Sequence, residues 1–251
     1  MGIVKPFSFL TSGVVPSPPP AASIPSGFVY GIDPNDYAGG STWTADSGGS
    51  NTNTTNLFGS YSNASPGLSL YDDGITTSYG SRTLGLSSNA VGTWFVWFKL
   101  DTLQDAALYS SGYSAYTQGG FRYLDNPNMF YDSLSGRLVF RWQKVLNSYG
   151  SVGTYSVSST ADISTDTWYL ATFNRNGSSQ TWYQNNVAAG TGTQSSTFAS
   201  LGSYTTYTGK NWRFSTPQLD GIIGHTYYYG TSLGTSDMTD FYDATKATYG
   251  Y

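Results

Sequence analysis

Short runs of aromatic and branched apolar residues, each closed off by Gly, Asn, Asp or Ser, recur along the whole chain and leave it little but strands to build with. The strongest are Thr93–Leu100 (TWFVWFKL), Gly136–Leu146 (GRLVFRWQKVL), Thr167–Arg175 (TWYLATFNR), Gln180–Gln184 (QTWYQ) and Leu219–Tyr229 (LDGIIGHTYYY). In the second, Leu138, Phe140 and Trp142 alternate with Val139, Arg141 and Gln143, so one face of that strand is apolar and the other mixed. The first is apolar on both faces around Trp94 to Phe98, which predicts a strand at the centre of a sandwich. Asn174-Arg175-Asn176-Gly177 reads as a hairpin into Gln180–Gln184, and the turn formers Asn185-Asn186 follow at once. The composition agrees: 30 Gly and 22 Tyr in 251 residues, and 10% charged residues against the roughly 25% of an average soluble domain.

One segment reads as a helix. Ser236 or Asp237 can cap it, and Met238, Phe241 and Tyr242 fall on one face before Gly250. No repeat of a propeller or solenoid period is present. The expected fold class is therefore all-β, two packed antiparallel sheets with one short C-terminal helix and an extended N-terminal arm.

That arm is set apart by proline. Six of the ten prolines lie between positions 6 and 25, and VVPSPPPAASIP favours a stiff polyproline II spacer. The expected organisation is an arm over residues 1–13, a Pro-rich linker over 14–26 and a sandwich over 27–251. The arm is either a frayed terminus or an anchoring peptide; Ile3, Val4, Phe7, Phe9 and Leu10 are apolar enough to want a partner surface. On this reading residues 1–25 lie outside the sandwich.

The 15 acidic residues are all Asp, and there is no Cys. Thiol catalysis, thiolate zinc sites and disulfides are excluded. A net charge of −4 with scattered basic residues, of which Arg137, Arg141 and Lys144 come nearest to a cluster, argues against nucleic-acid binding. The longest strongly apolar run, Trp94 to Phe98, is far short of the about 20 residues of a membrane-spanning helix, and Met1 to Leu10 do not read as a signal peptide.

Four stretches in order carry a resemblance: GFVYGIDPNDYAGGSTWTADSG (27–48), Trp94–Leu100 leading into ALYSSG (107–112), TWYLATFNRNGSSQTWYQNNV (167–187) and LDGIIGHTYYYGTSLGTSDMTDFYDATKATYGY (219–251). Together they resemble the laminin-G-like branch of the concanavalin A-like lectin/glucanase superfamily. The resemblance implies a jelly-roll sandwich of two curved sheets with a short helix before the C-terminus. The closing ATKATYG is similar to versions found in structural proteins of tailed bacteriophages.

Glycoside hydrolases of that superfamily use paired carboxylates, typically Glu-x-Asp-x-x-Glu on one strand. This chain has no Glu and no strand with two Asp at alternating positions, so the hydrolase reading is the weakest. The one His, His225, sits in an apolar run and reads as a satisfied core residue. Calcium is possible, from Asp125, Asn128 and Asp132 or from Asp72-Asp73, although Asp and Asn also serve as turn residues; no other cofactor is expected. Sugar binding would need exposed aromatics beside hydrogen-bonding groups. The expected loops SSGYSAYTQGG (110–120) and GSYTTYTG (202–209) offer Tyr113, Tyr116, Gln118, Tyr204 and Tyr207. Trp94, Trp97, Trp142, Trp168 and Trp182 are assigned to the core, with Phe98, Phe140, Phe173, Ile222 and Phe241.

These features lead to the expectation of a non-enzymatic virion module of a tailed phage. It is made in the host cytoplasm, anchored to other virion proteins by its arm, and displayed outward in many copies or as a homo-oligomer. It touches neither nucleic acid nor membrane, and binds cell-surface glycans weakly if at all. A free-standing lectin is the rival.

Overall fold

The computed structural model describes residues 21–34, 42–44, 54–58, 61–62, 69–70, 79–85, 91–117, 120–145, 152–194, 203–209 and 219–251. The anchoring candidates Ile3, Val4, Phe7, Phe9 and Leu10, the calcium candidates Asp72 and Asp73, and Gln118 lie outside this set. Sixteen strands run in chain order: β1 (Tyr30–Ile32), β2 (Thr42–Thr44), β3 (Thr54–Phe58), β4 (Tyr61–Ser62), β5 (Ser69–Leu70), β6 (Tyr79–Gly85), β7 (Val91–Leu100) and β8 (Ala106–Thr117). Then come β9 (Gly120–Asp132), β10 (Arg137–Val145), β11 (Val152–Ser158), β12 (Trp168–Asn176), β13 (Ser179–Gln184), β14 (Val187–Thr193), β15 (Ser203–Thr208) and β16 (Gly221–Tyr229). One helix, α1 (Thr235–Thr245), and a 3-10 turn (Lys246–Tyr249) close the fold.

All-β architecture is what the strand pattern requires, and it is what forms. A six-stranded sheet, β1-β16-β7-β12-β13-β14, faces an eight-stranded sheet, β11-β10-β9-β8-β15-β6-β3-β2, and the pairing is antiparallel throughout. A small ribbon, β4-β5, pairs with neither sheet, and its β5 lies against β16. The five strands read from the sequence appear within one or two residues of the expected bounds.

Between the sheets, Trp94, Val96 and Phe98 of β7 meet Leu138, Phe140 and Trp142 of β10 and Phe173 and Trp182 of the six-stranded sheet. The Phe140 ring stacks 3.8 Å from Phe173 and 4.8 Å from Trp94. The alternate residues of β7, Phe95 and Trp97, face the other way into a second core with Met238 and Phe241 of α1, Tyr249, and Phe28 before β1. The double-sided apolarity of β7 thus has a cause: the C-terminal helix covers the outer face of its sheet.

Three details depart from expectation. The helix cap is Gly234, whose N–H is taken by the Asp237 carboxylate at 3.3 Å, since glycine has no side-chain oxygen and the acid three residues on supplies one. Trp168 and Ile222 are half-buried rather than core. Trp168 opens β12 at the sheet end, its ring 4.5 Å from that of Tyr249, while a register shift after Ile223 gives the inward position to Ile223. Finally, the end of the Pro-rich segment is not outside the sandwich: Ile24 packs on the second core and the Pro25 carbonyl accepts the Tyr229 hydroxyl at 2.7 Å. Proline removes a donor but not an acceptor, so an extended Pro segment can dock through its carbonyls.

Candidate functional site

The outer face of the eight-stranded sheet carries the most organised set of side chains that the core leaves unused. Because Leu138, Phe140 and Trp142 point inward, Val139 and Arg141 point out, and the register extends this face across neighbouring strands. One row runs Val139, Phe130, Ala107. The next runs Ser156, Arg141, Asn128, Ser110, Tyr207, five strands wide and about 19 Å long at the usual strand spacing. Ala107, Ser110, Asn128 and Val139 are buried and form the floor, while Phe130, Arg141 and Tyr207 rise from it half-exposed.

Each part of the row is fixed by its element. Bulges in the β8–β9 pairing, at Ala107/Tyr109 and Ser110/Gly112, set which residues of β8 share a face with Asn128. The Asn128 carbonyl oxygen accepts the Ser111 N–H at 3.2 Å, which orients the amide. The Arg141 guanidinium lies over the Phe130 ring, 4.6 Å from its centroid. The other two arginines whose side chains are described are placed differently. Arg137 pairs with Asp162 at 2.6 Å. Arg175 is buried against Trp142, and burial draws its guanidinium down to about 10.

The four tyrosines named from sequence as sugar candidates are not in loops. Tyr113 and Tyr116 lie within β8 opposite Leu124 and Phe121 of β9, and Tyr204 and Tyr207 lie within β15 opposite Leu84 and Ser81 of β6. Small polar residues and glycines gave those segments a loop signature, but long-range pairing between β8, β9 and β15 makes them strands. Each tyrosine pair is three positions apart, which places its two positions on opposite faces of the strand. Tyr207 alone of the four has a described side chain, and it joins the outer row.

Of the calcium candidates, Asn128 and Asp132 are too far apart along β9 to share one ion. Asn128 and Asp132 are four positions apart on β9, about 13 Å at the usual rise, whereas two ligands of one Ca²⁺ sit within about 5 Å of each other. Asp132 instead accepts the Ser135 hydroxyl at 2.5 Å and closes the β9–β10 turn. Asp125 lies on β9, where its backbone alone is described. Among the described residues no three His, Cys, Asp or Glu side chains are grouped to hold a metal.

His225 is buried and engaged on both nitrogens. Its backbone N–H donates to the Tyr249 hydroxyl at 2.7 Å, and that hydroxyl also lies within hydrogen-bond distance of Nδ1 at 2.6 Å. Nε2 faces the Asp33 carboxylate at 3.1 Å, an acceptor to which it donates. The chain Asp33–His225–Tyr249 ties the start of the sandwich to its C-terminal turn. It fits because residue 224 is glycine: a Cβ there would lie 2.0 Å from the Tyr249 oxygen. His225 and Tyr249 are both buried, which closes this hydroxyl to a substrate.

Sequence reading missed Arg141, Phe130 and Ser110 as site residues. The signal was in GRLVFRWQKVL, whose mixed face already singles out Arg141, but the strands beside it are set only by register.

Compared by sequence, the chain matches no protein-family model and no curated protein. By structure it is similar to the Trypanosoma rangeli sialidase in complex with sialic acid, with a TM-score of 0.59 and 13% identity over 92% of this chain and 35% of that one. It is also similar to the binding domain of botulinum neurotoxin serotype D, with a TM-score of 0.59 and 12% identity over 87% of this chain and 51% of that one. The binding domain of botulinum neurotoxin DC in complex with SialylT gives 0.57 and 15% over 88% and 52%. The chain thus spans about a third to a half of the structures it resembles, and what they share with it is the β-sandwich fold.

Proposed function

We propose that the chain is a non-enzymatic glycan-binding module that uses the outer face of its eight-stranded sheet. The observation that carries this is the accessible part of the row, Arg141 over the Phe130 ring with Tyr207 and Ser156, above a buried floor of Asn128 and Ser110. A sugar presents an apolar ring face and a rim of hydroxyls, and it is met by an aromatic flank next to amide, hydroxyl and guanidinium groups. The sialic acid and SialylT complexes among its structural neighbours are consistent with a sandwich of this kind holding a glycan. The lack of any Glu, and the commitment of His225 to Asp33 and Tyr249, favour binding over hydrolysis.

The finer reading places the module on the virion of a tailed phage. It is anchored to capsid or tail proteins through Ile3, Val4, Phe7, Phe9 and Leu10 and displayed in many copies. What supports it is the apolar arm, the Pro-rich spacer and the sequence resemblance to phage structural proteins. Individual sites of roughly millimolar affinity would then act together through avidity.

The test is a glycan array read with the purified chain and with particles bearing it, beside an assay for released reducing ends. Array binding lost in Phe130→Ala supports the reading. Reducing ends released by the repurified chain would overturn its non-enzymatic part, and unchanged binding in Phe130→Ala would overturn the choice of face.

A further inference from the structure

We propose that this outer-face site selects glycans bearing a carboxylate, a terminal sugar acid, and that Arg141 is the residue that reads the charge. The inference rests on the glycan-binding reading and names its ligand class. Arg141 is half-exposed on a face whose floor is otherwise neutral. It has no ion pair and no hydrogen bond among the described residues, and its guanidinium lies over the Phe130 ring. Protein arginines at such positions ordinarily find a carboxylate, and Arg137 on the same strand has found Asp162.

A guanidinium holds five N–H donors in a planar fork that matches a carboxylate with two parallel bonds. Stacking on Phe130 immobilises that fork before a ligand arrives, so little side-chain freedom remains to be lost on binding. In the same row Tyr207 is half-exposed and Ser156 exposed, so their hydroxyls can meet ring hydroxyls, and no residue of the row is acidic. A long polyanion fits less well, because the chain carries a net −4 and the other described cation of this face, Arg137, is paired with Asp162; a single carboxylate on an otherwise neutral sugar matches Arg141.

The experiment titrates the full chain by NMR or calorimetry with paired probes, sialyllactose against lactose and glucuronic acid against glucose, adding glucuronic acid methyl ester and glucose 6-sulfate. The acid member of each pair is expected to bind at least about tenfold tighter than its neutral partner. The methyl ester should fall to the level of glucose, and the tetrahedral sulfate should bind more weakly than the planar carboxylate. Arg141→Gln should abolish the preference while leaving the thermal midpoint in place, and Arg141→Lys should recover only part of it, since an ammonium keeps the charge but not the fork. Equal binding of acid and neutral sugars, an equally strong sulfate, or a preference that survives Arg141→Gln would overturn the proposal and leave the broader glycan reading standing. Binding of no probe at all would overturn both.

Discussion

Phe140 shows how much one side chain contributes when both sheets close on it. Its ring is fully buried, stacked on Phe173 and tilted against Trp94, so Phe140→Ala leaves a cavity that neighbours from two sheets must share. The expected cost is about 3 to 5 kcal/mol, measurable by urea unfolding, and a loss near 0.5 kcal/mol would mean the strand's faces are exchanged. The buried tyrosines predict a pH dependence. Burial holds the Tyr228 phenol up at about 12 and pushes those of Tyr109 and Tyr249 up as well. In the unfolded chain these phenols ionise near about 10, so above that pH the unfolded state sheds protons that the folded state keeps. Their contribution is intact below about pH 10 and is lost as pH rises toward 12, by about 1.4 kcal/mol per unit for each such tyrosine. Between pH 8 and 11 the wild type should therefore lose about 1.4 kcal/mol more than Tyr228→Phe; equal losses would show that Tyr228 titrates like an exposed phenol.

The β13–β14 hairpin is the element whose sequence and structure agree most closely, and it does more than turn the chain. Asn185 and Asn186 both adopt positive φ, 50° and 63°, the conformation that a two-residue hairpin turn demands and that asparagine tolerates. Their side chains then reach outward. Asn185 accepts the Leu170 N–H at 2.8 Å and donates to the Tyr251 hydroxyl at 3.1 Å, while Asn186 donates to Thr239 of α1 at 3.1 Å. One turn therefore fastens the helical cap to the six-stranded sheet. Asn185→Ala is expected to cost about 1 to 3 kcal/mol, from a left-handed residue with a Cβ and an unpaired backbone N–H. Asn185→Gly should recover the strain but not the hydrogen bonds, and a thermal midpoint equal to wild type in both variants would exclude the fastening role. The hairpin was legible because Asn-Asn is a local signal. The strands β8 and β9 were not, because the stretch around Tyr113 and Tyr116 is made of glycine and small polar residues whose strand state depends on partners distant in sequence.

For the whole molecule, the arm and the sandwich are expected to separate in function. Deleting residues 1–20 should leave the thermal midpoint of the sandwich within about a degree or two of wild type, since Ile24, Pro25 and Phe28 keep their contacts with the second core. The same deletion should abolish incorporation into particles, as sedimentation of tagged chain with assembled virions would show; incorporation at the wild-type level would refute anchoring by the arm. What the sequence determined by itself was the class of fold: alternation in Gly136–Leu146, two-sided apolarity in Thr93–Leu100, the Asn turn and the single helical period each follow from a few neighbouring residues, and local periodicity needs no knowledge of the rest of the chain. The absence of Glu likewise disfavours glycosidase chemistry from the sequence alone. The tertiary structure alone decided where a ligand could sit. Ser110, Asn128, Arg141 and Tyr207 come from four strands and form one row only because strand pairing and two bulges bring them into register, and that register is a property of long-range hydrogen bonds rather than of any one segment.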